Sequence, residues 1–429
     1  MVKKSKKYLI EAKKIILNSN MILSKNPDMI LPNLWPGYFK KSFKSYVISL
    51  DGKKFLDMTC LVGQNTLGYG NKELSSHLKS IIDDGNMTSL NCPEEVELSK
   101  FLLKIHKWAN VVKYTRSGGE ANALAVRIAR CFNDKDNIAI CGYHGWHDWY
   151  LAANISNKEN LKSHLFNNIQ TKGVPKKLQD TTFQFDYGNI ESLKKIYKEK
   201  NIGIVKMEVC RNNLPNIKFL KQVRKFTKEK NIVLIFDECT TGFRHNFGGI
   251  HLITGVNPDI AIFGKAIGNG HAINAIIGKK KFMNAAKNSF ISSTFWSERI
   301  GFAAAVKTLK IMKSVKHWKT LIKNGNYLRK NIKEIFVKNE IDLVINEFPT
   351  IISLSLKKHN DLFRSFLTKE MLKKNILATN LIYVNIFHNK ANSDKYLKNL
   401  DNILKKFKKL KKRNYSWIGK NFYISRVKD

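Results

Sequence analysis

No apolar run in these 429 residues approaches the roughly 18 that a membrane-spanning helix needs, so no spanning segment is expected. Cysteine is sparse: six residues, at 60, 92, 131, 141, 210 and 239, with no CxxC pair. With no secretory leader either, reduced thiols in the cytoplasm are the simple expectation. The start, Met1 to Ile16, is rich in lysine, but Glu11 and the lysines interrupt any signal-type apolar core, and the spacing predicts an amphipathic helix. Acidic residues are few, 34 against 75 basic ones, for a formal net charge of +41. Such a balance raises nucleic acid or an anionic membrane as partner. Here lysine is spread nearly everywhere beside Ile and Asn, and the interleaving of arginine with aromatics found in nucleic-acid modules is missing. The densest run, Lys405 to Arg413, keeps Ile403, Phe407 and Leu410 at helical spacing and reads as a solvated helix face. Neither nucleic acid nor membrane is expected to bind, while the positive field favours anionic substrates. No repeat or low-complexity linker breaks the chain. At 43% hydrophobic it is long enough for one large domain and a smaller one.

What is present begins with two charged residues placed where apolar runs stop. Asp237 follows Ile232 to Phe236, and Lys265 follows the run from Asp259 to Gly264. Short stretches of Val, Ile, Leu and Phe between helical segments read as strands covered on both faces, as in a parallel sheet. In such sheets ligand crevices lie outside the carboxyl ends of the strands, so both residues would point into one cavity. A carboxylate and an amine converging there suit pyridoxal phosphate, whose aldehyde needs a lysine and whose ring nitrogen needs an acid. A structural ion pair fits the same two residues equally well.

The phosphate needs its own cradle. Ser117, Gly118 and Gly119 follow the strand-like run Val111 to Thr115 and precede Ala121, Leu124, Ala125, Ile128 and Ala129, one apolar helix face. Free N–H groups and the positive dipole end at such a helix start bind anions, although a Ser-Gly-Gly before a helix is more often an ordinary cap. A third segment, Cys141 to Tyr150, is dense in aromatics and imidazoles after the strand-like run Asn137 to Ile140. Tyr143 or His144 could stack on a flat ring. A satisfied aromatic core with surface histidines is the competing view. His144 and His147 also raise zinc, which is discounted because neither a Cys pair nor a helical His-Glu-x-x-His accompanies them.

In this order the segments resemble the class III, fold-type-I pyridoxal phosphate aminotransferases, and within them the glutamate-1-semialdehyde aminomutase branch. The likeness spans most of the chain, from the hairpin-like stretch Tyr46 to Asp57 to the segment Asn380 to His388; its most specific parts are Phe236 to Arg244 and the lysine loop Gly264 to Gly270. It implies an α/β fold: a large domain with a mostly parallel central sheet flanked by helices, plus a smaller α+β domain. The expected division is an N-terminal arm and hairpin over 1–68, a pyridoxal-phosphate-binding domain over 69–309 and a C-terminal small domain over 310–429.

The resemblance also implies roles. Lys265 would carry pyridoxal 5′-phosphate as a Schiff base and then move the substrate's α-proton, and Asp237 would bond the pyridine nitrogen. Gly118 and Gly119 would hold the phosphate with Ser117 nearby, although the family commonly has Thr at the place of Gly119. Tyr143 would stack on the ring with His144 beside it, and Cys239 would take the opposite face, where Val or Ile is usual. Glu208 matches a glutamate near the cofactor, with Val209 in place of the usual proline. Thr294 matches the threonine that reaches the neighbouring subunit's phosphate, which implies a homodimer with shared sites. The substrates would be a small-molecule amino donor and a carbonyl acceptor, in a subgroup that accompanies sugar and surface-polysaccharide metabolism. The alternative is the aminomutase of tetrapyrrole synthesis. Gly119, the Gly268-Asn-Gly270 loop and the bulky Ser293 to Arg299 stretch argue against it, and they make Trp146, Trp149 and Trp296 candidate specificity residues, with packing the plainer reading for each.

Overall fold

The structure is a computed structural model describing residues 4–162, 169–211 and 213–410. The chain divides into two units, whose described residues are 4–75 with 315–410, and 76–162 with 169–211 and 213–314.

In chain order the first unit supplies strands β1 (Phe39–Phe43), β2 (Tyr46–Ser49) and β3 (Lys54–Asp57). The second supplies β4 (Val111–Thr115), β5 (Ile138–Cys141), β6 (Thr182–Gln184), β7 (Ile204–Glu208), β8 (Val233–Glu238), β9 (Ile260–Phe263) and β10 (Asn274–Gly278). The chain then returns to the first unit for β11 (Val344–Ile345), β12 (Ile351–Ser355), β13 (Ile376–Leu377) and β14 (Leu381–Tyr383).

In the first unit β1, β2 and β3 run antiparallel, and β13 adds to β3 in parallel, so residues more than 300 positions apart share one sheet. The β2–β3 hairpin turns at Gly52, whose φ of +80° suits a residue without a Cβ. A second sheet orders β11-β12-β14. The core draws on Leu56, Phe336, Ile352, Phe363, Tyr396 and Phe407. Helix Lys390–Leu410 buries Ile403, Leu404 and Phe407 and turns Lys405, Lys406, Lys408 and Lys409 to solvent, which makes the lysine run a solvated face. Residues 411–413 of that run lie outside the described residues. At the other end, Lys4–Ile15 is helical as its spacing predicts, but Tyr8, Ile10 and Ile15 remain exposed, so its apolar residues are not gathered onto a buried face.

The second unit is built on a seven-stranded sheet ordered β4-β10-β9-β8-β7-β5-β6. Only β10 runs against its neighbours. The carboxyl ends of the other six strands therefore share one edge. Strands β5, β7, β8, β9 and β10 are buried along their whole length, which is why they read as nearly unbroken apolar runs rather than alternating ones. One face packs Ile138, Ile140, Ile204, Ile235 and Ile262 against Ala121, Leu124, Ala125 and Ile128 of helix Gly118–Asn133, the stripe that its spacing predicts. On the other side, helix Ile217–Glu229 buries Phe219, Leu220, Val223 and Phe226 and packs on β8.

Candidate active site

Asp237 is not beyond the strand end, as the apolar run suggests. It is paired within β8, opposite Glu208 of β7 and Ile262 of β9, because the ladder continues to Glu238. Its side chain is 4% exposed. Oδ1 accepts from the Cys239 amide at 3.0 Å, and Oδ2 accepts from His144 Nδ1 at 2.8 Å. Burial alone would raise the Asp237 pKa, but the His144 hydrogen bond, the Lys206 charge and the Cys239 amide outweigh it and hold the carboxyl well below its usual range. His144 is itself wholly buried, and burial lowers its pKa against the pull of Asp237. The pair is thus a neutral imidazole donating Nδ1–H to a carboxylate, not an ion pair. His144 also lies parallel to Trp149, with centroids 6.5 Å apart at 22°.

Lys265 stands two residues past the end of β9, the strand beside β8, and opens the short turn Lys265–Gly268. Its φ of +43° places a lysine in left-handed backbone, a strained conformation of the kind that clusters at active sites. Its Nζ donates to Thr240 Oγ1 at 2.5 Å. The turn enters through Gly264, where an added Cβ would lie 2.0 Å from Asn274 Oδ1 and 3.4 Å from Cys239 Sγ; glycine there lets Asn274 of β10 and Cys239 approach the lysine backbone. Burial first, then Asp237, raises the Cys239 pKa, so its thiol keeps its proton and behaves as a small apolar surface.

At the near end of the sheet, Ser117 is the N-cap of helix Gly118–Asn133. Its Oγ accepts from the Glu120 amide and its own N–H donates to Glu120 Oε2 at 2.7 Å, a capping box. The hydroxyl oxygen is therefore engaged as an acceptor in the cap, and the amides of Gly118 and Gly119 are first-turn donors that no intrahelical carbonyl can reach. A Cβ at Gly118 would lie 3.7 Å from Cys239 Sγ, which brings the helix start to the Asp237–Lys265 cluster. One at Gly119 would meet His147 Cε1 at 2.7 Å and Nδ1 at 2.9 Å, so a threonine there would have to displace that imidazole.

Glu208, at the end of β7, positions the loop after β5. Its Oε2 accepts from the Tyr143 amide at 3.0 Å and from Arg211 Nη1 at 3.1 Å. Tyr143 is half-buried, with its ring edge-on to Tyr150. Thr294 differs from the rest: it is exposed on the turn Thr294–Ser297, and the segment is tied to the helix start instead. Arg116 donates from Nε to the Phe295 carbonyl at 2.6 Å and from Nη2 to that of Trp296 at 3.0 Å, while Trp296 Nε1 donates to Glu120 Oε1 at 3.3 Å. Trp149 is buried packing and Trp146 is exposed. Thr240, Asn274, Arg116 and Lys206 join the site without having been marked by motif or spacing. Of these only Lys206 carried a local signal, as a charge inside the apolar run that forms β7.

A model described as aminotransferase class-III matches residues 34–383, most of the chain. The chain belongs to the class III aminotransferases. A glutamate-1-semialdehyde 2,1-aminomutase of Methanobrevibacter smithii is 33% identical over 312 residues, 70% of this chain and 72% of the relative. A 3-aminobutyryl-CoA aminotransferase of Cloacimonas acidaminovorans is 28% identical over 360 residues, 82% and 83% of the two chains. The fold matches the FumI protein of Sphingopyxis sp. MTA144, solved in its PLP internal aldimine form, with a TM-score of 0.86 at 20% identity over 95% of this chain and 97% of that one. An omega-transaminase of Sphaerobacter thermophilus follows with a TM-score of 0.83 at 18% identity, covering 94% and 97%. This class III aminotransferase is accordingly a pyridoxal 5′-phosphate-dependent enzyme of fold type I, a transaminase or an aminomutase acting on small molecules. The residues suit that cofactor: an ionised buried acid, an amine just past the end of the adjacent strand and a glycine-led helix start lie together. Among the described residues no helix is long and apolar enough to cross a membrane, and no cluster of His, Cys, Asp and Glu could hold a metal ion.

Proposed function

We propose that this class III aminotransferase is a transaminase that binds pyridoxal 5′-phosphate covalently through Lys265 and moves an amino group between a small-molecule donor and a carbonyl acceptor. The observation that carries the reading is the pairing of Asp237, buried yet ionised in β8, with Lys265 just beyond the adjacent β9. When bound, the cofactor supplies an electron sink for the substrate's α-carbon. Asp237 holds the ring nitrogen protonated, and His144 keeps Asp237 oriented. The Gly118 and Gly119 amides take the phosphate at the positive end of the helix, with the Ser117 cap fixing their direction. Tyr143 and Cys239 bound the ring's two faces, and Glu208 fixes the Tyr143 loop. The Lys265 amine would hold the cofactor and, when free, would be the group placed to take and return the substrate's α-proton.

Thr294, exposed here, completes the phosphate site of a second subunit, so the working form is a homodimer. Six free cysteines suit a reducing cytoplasm. Gly119 pressed against His147, the Gly268-Asn-Gly270 loop and the bulky turn held by Arg116 support a pocket unlike the tetrapyrrole aminomutase's, and the basic charge favours anionic substrates, nucleotide-linked sugars of surface-polysaccharide synthesis among them. Intramolecular amino transfer is the second reading, supported by the aminomutase relatives.

Borohydride reduction of the loaded enzyme followed by peptide mass mapping should place the cofactor's mass on Lys265. Label on another lysine overturns the assignment. Lys265→Ala should fold with an unchanged melting point and show no turnover. A panel of amino acids and amino sugars separates the two readings: a transaminase donor bleaches the bound-cofactor band in a single half-reaction, whereas an aminomutase isomerises its substrate without a co-substrate.

A further inference from the structure

Lys206 lies inside β7 with its side chain wholly buried. Strand alternation puts it on the face that Ile204 shares with Ile235 and Ile262, the layer covered by Ala121, Leu124, Ala125 and Ile128 of helix Gly118–Asn133. The ladder sets Lys206 beside Ile235 and Glu208 beside Asp237, so the lysine enters that face one pleat back from the acid. An ammonium in an apolar layer is costly, and nothing in the packing of β7 requires one. Among the described residues Lys206 Nζ has no hydrogen-bond partner. A second such atom in the same cluster has the opposite character: His144 Nε2, an acceptor once Nδ1–H is given to Asp237, is also buried without a partner among the described residues. One unpaired donor and one unpaired acceptor thus accompany a single carboxylate.

Burial lowers the Lys206 pKa to about 8, with Asp237 foremost among the groups opposing it. At neutral pH the amine is then a cation near an anion, and its charge in turn lowers the pKa values of His144 and Asp237. The remaining titratable groups around it are Glu208 on its own strand, Cys239 beyond β8, and, acting on Cys239, Lys265.

We propose that Lys206 is a positioning residue for the cofactor, whose buried ammonium keeps Asp237 an anion and takes up part of the carboxylate's field that the ring nitrogen would otherwise receive alone. This rests on the cofactor reading above. Lys206, wholly buried in β7, is assigned no contact with substrate or cofactor and acts through Asp237, setting how strongly the cofactor's cationic forms are stabilised. Removing its charge should make protons nearby easier to hold.

The test is a pH titration of the bound-cofactor absorption band in Lys206→Met and Lys206→Arg, each loaded with pyridoxal 5′-phosphate. Lys206→Met should raise the midpoint by about half a pH unit or more, a shift of about threefold in the protonation equilibrium. Lys206→Arg, which keeps the charge, should stay near the parent. The unloaded Lys206→Met protein should melt no lower than the parent, since an unpaired buried amine is exchanged for an apolar chain of similar length. A band that forms normally but keeps its midpoint in Lys206→Met overturns the inference alone, as does Lys206→Arg shifting as far as Lys206→Met. Failure of Lys206→Met to fold also overturns it, because the amine would then be structural. A parent enzyme with no band overturns the cofactor reading along with it.

Discussion

A carboxyl buried to the extent of Asp237 would ordinarily take up a proton, and it stays ionised only because specific donors meet it. His144 is the principal one. His144→Phe keeps an aromatic ring against Trp149 but removes the donor, so the Asp237 pKa should rise and its hold on the ring nitrogen weaken. A charge-assisted hydrogen bond of this kind contributes about 1.5–3 kcal/mol, and the affinity for pyridoxal 5′-phosphate should fall at least about tenfold. Titration of the apoprotein followed by fluorescence measures this, and an unaltered affinity would contradict the role given to His144. Asp237 and Lys265 were legible in the sequence because each interrupts an apolar run, and a charge in that place is conspicuous in one dimension. The His144 donor was not, since a loop histidine 93 positions away becomes a partner only once β5 and β8 are set in one sheet. Asn274 opposite Gly264 depends likewise on the antiparallel pairing of β10 with β9, and no spacing rule announces that register.

Among the elements, helix Gly118–Asn133 does two things at once: its apolar stripe covers one face of the large sheet, and its first turn faces the Asp237–Lys265 cluster. The stripe was legible from its 3.6-residue period and the start from Ser117 with Glu120 three residues on. The crowding of Gly119 by His147 was not, because it belongs to a loop that folds back across the helix start. Since the Ser117 hydroxyl oxygen is engaged in the cap, Ser117→Ala should cost about 1 kcal/mol in the unloaded protein, read from denaturant unfolding. Cofactor affinity should fall by a smaller factor than in His144→Phe, because the Gly118 and Gly119 amides remain. A larger loss of affinity than of stability would instead make the hydroxyl a direct phosphate ligand.

At the scale of the whole molecule, buried histidines tie stability to pH. His106 is wholly buried: Nδ1 donates to the Leu102 carbonyl at 2.9 Å, and Nε2 accepts from the Gly249 amide at 3.1 Å, an arrangement that only the neutral ring satisfies. Burial, then the neighbouring His251, lowers its pKa to about 4. His388 accepts from the Asn385 amide at Nδ1 and lies 2.9 Å from the Asp57 carbonyl at Nε2, and burial lowers its pKa as well. A depressed pKa contributes stability that is complete above the unfolded value near 6.5 and is lost as pH falls toward the folded one. For His106 that window runs from about 6.5 to about 4 and carries about 3 kcal/mol. Melting temperature should therefore decline steadily below about pH 6.5, and His106→Gln should flatten part of the decline. A profile level from pH 7 to 5 would contradict it.

The same scale decides whether one chain is enough. Asn86 joins two loops of the second unit: its side chain donates to Glu298 Oε1 at 3.0 Å and accepts from the Ile300 amide at 2.9 Å. Around this junction Leu90, Phe290 and Phe295 stand 83%, 87% and 65% exposed, with Met87 at 40%. Large apolar side chains exposed to this degree on segments adjoining one junction are candidates for a surface that another molecule covers. Thr294 lies within the same stretch, so the surface that would be covered is also the one holding the residue assigned to the second subunit's phosphate. Phe290→Asp with Phe295→Asp should therefore lower the sedimentation coefficient from a dimer's to a monomer's and, in the same protein, weaken pyridoxal 5′-phosphate binding, although neither phenylalanine is assigned to the cofactor. The coupling is the discriminating feature: monomers that keep full cofactor affinity would leave the self-association standing and remove Thr294 from the shared site, while a dimer indifferent to both changes would place the interface elsewhere.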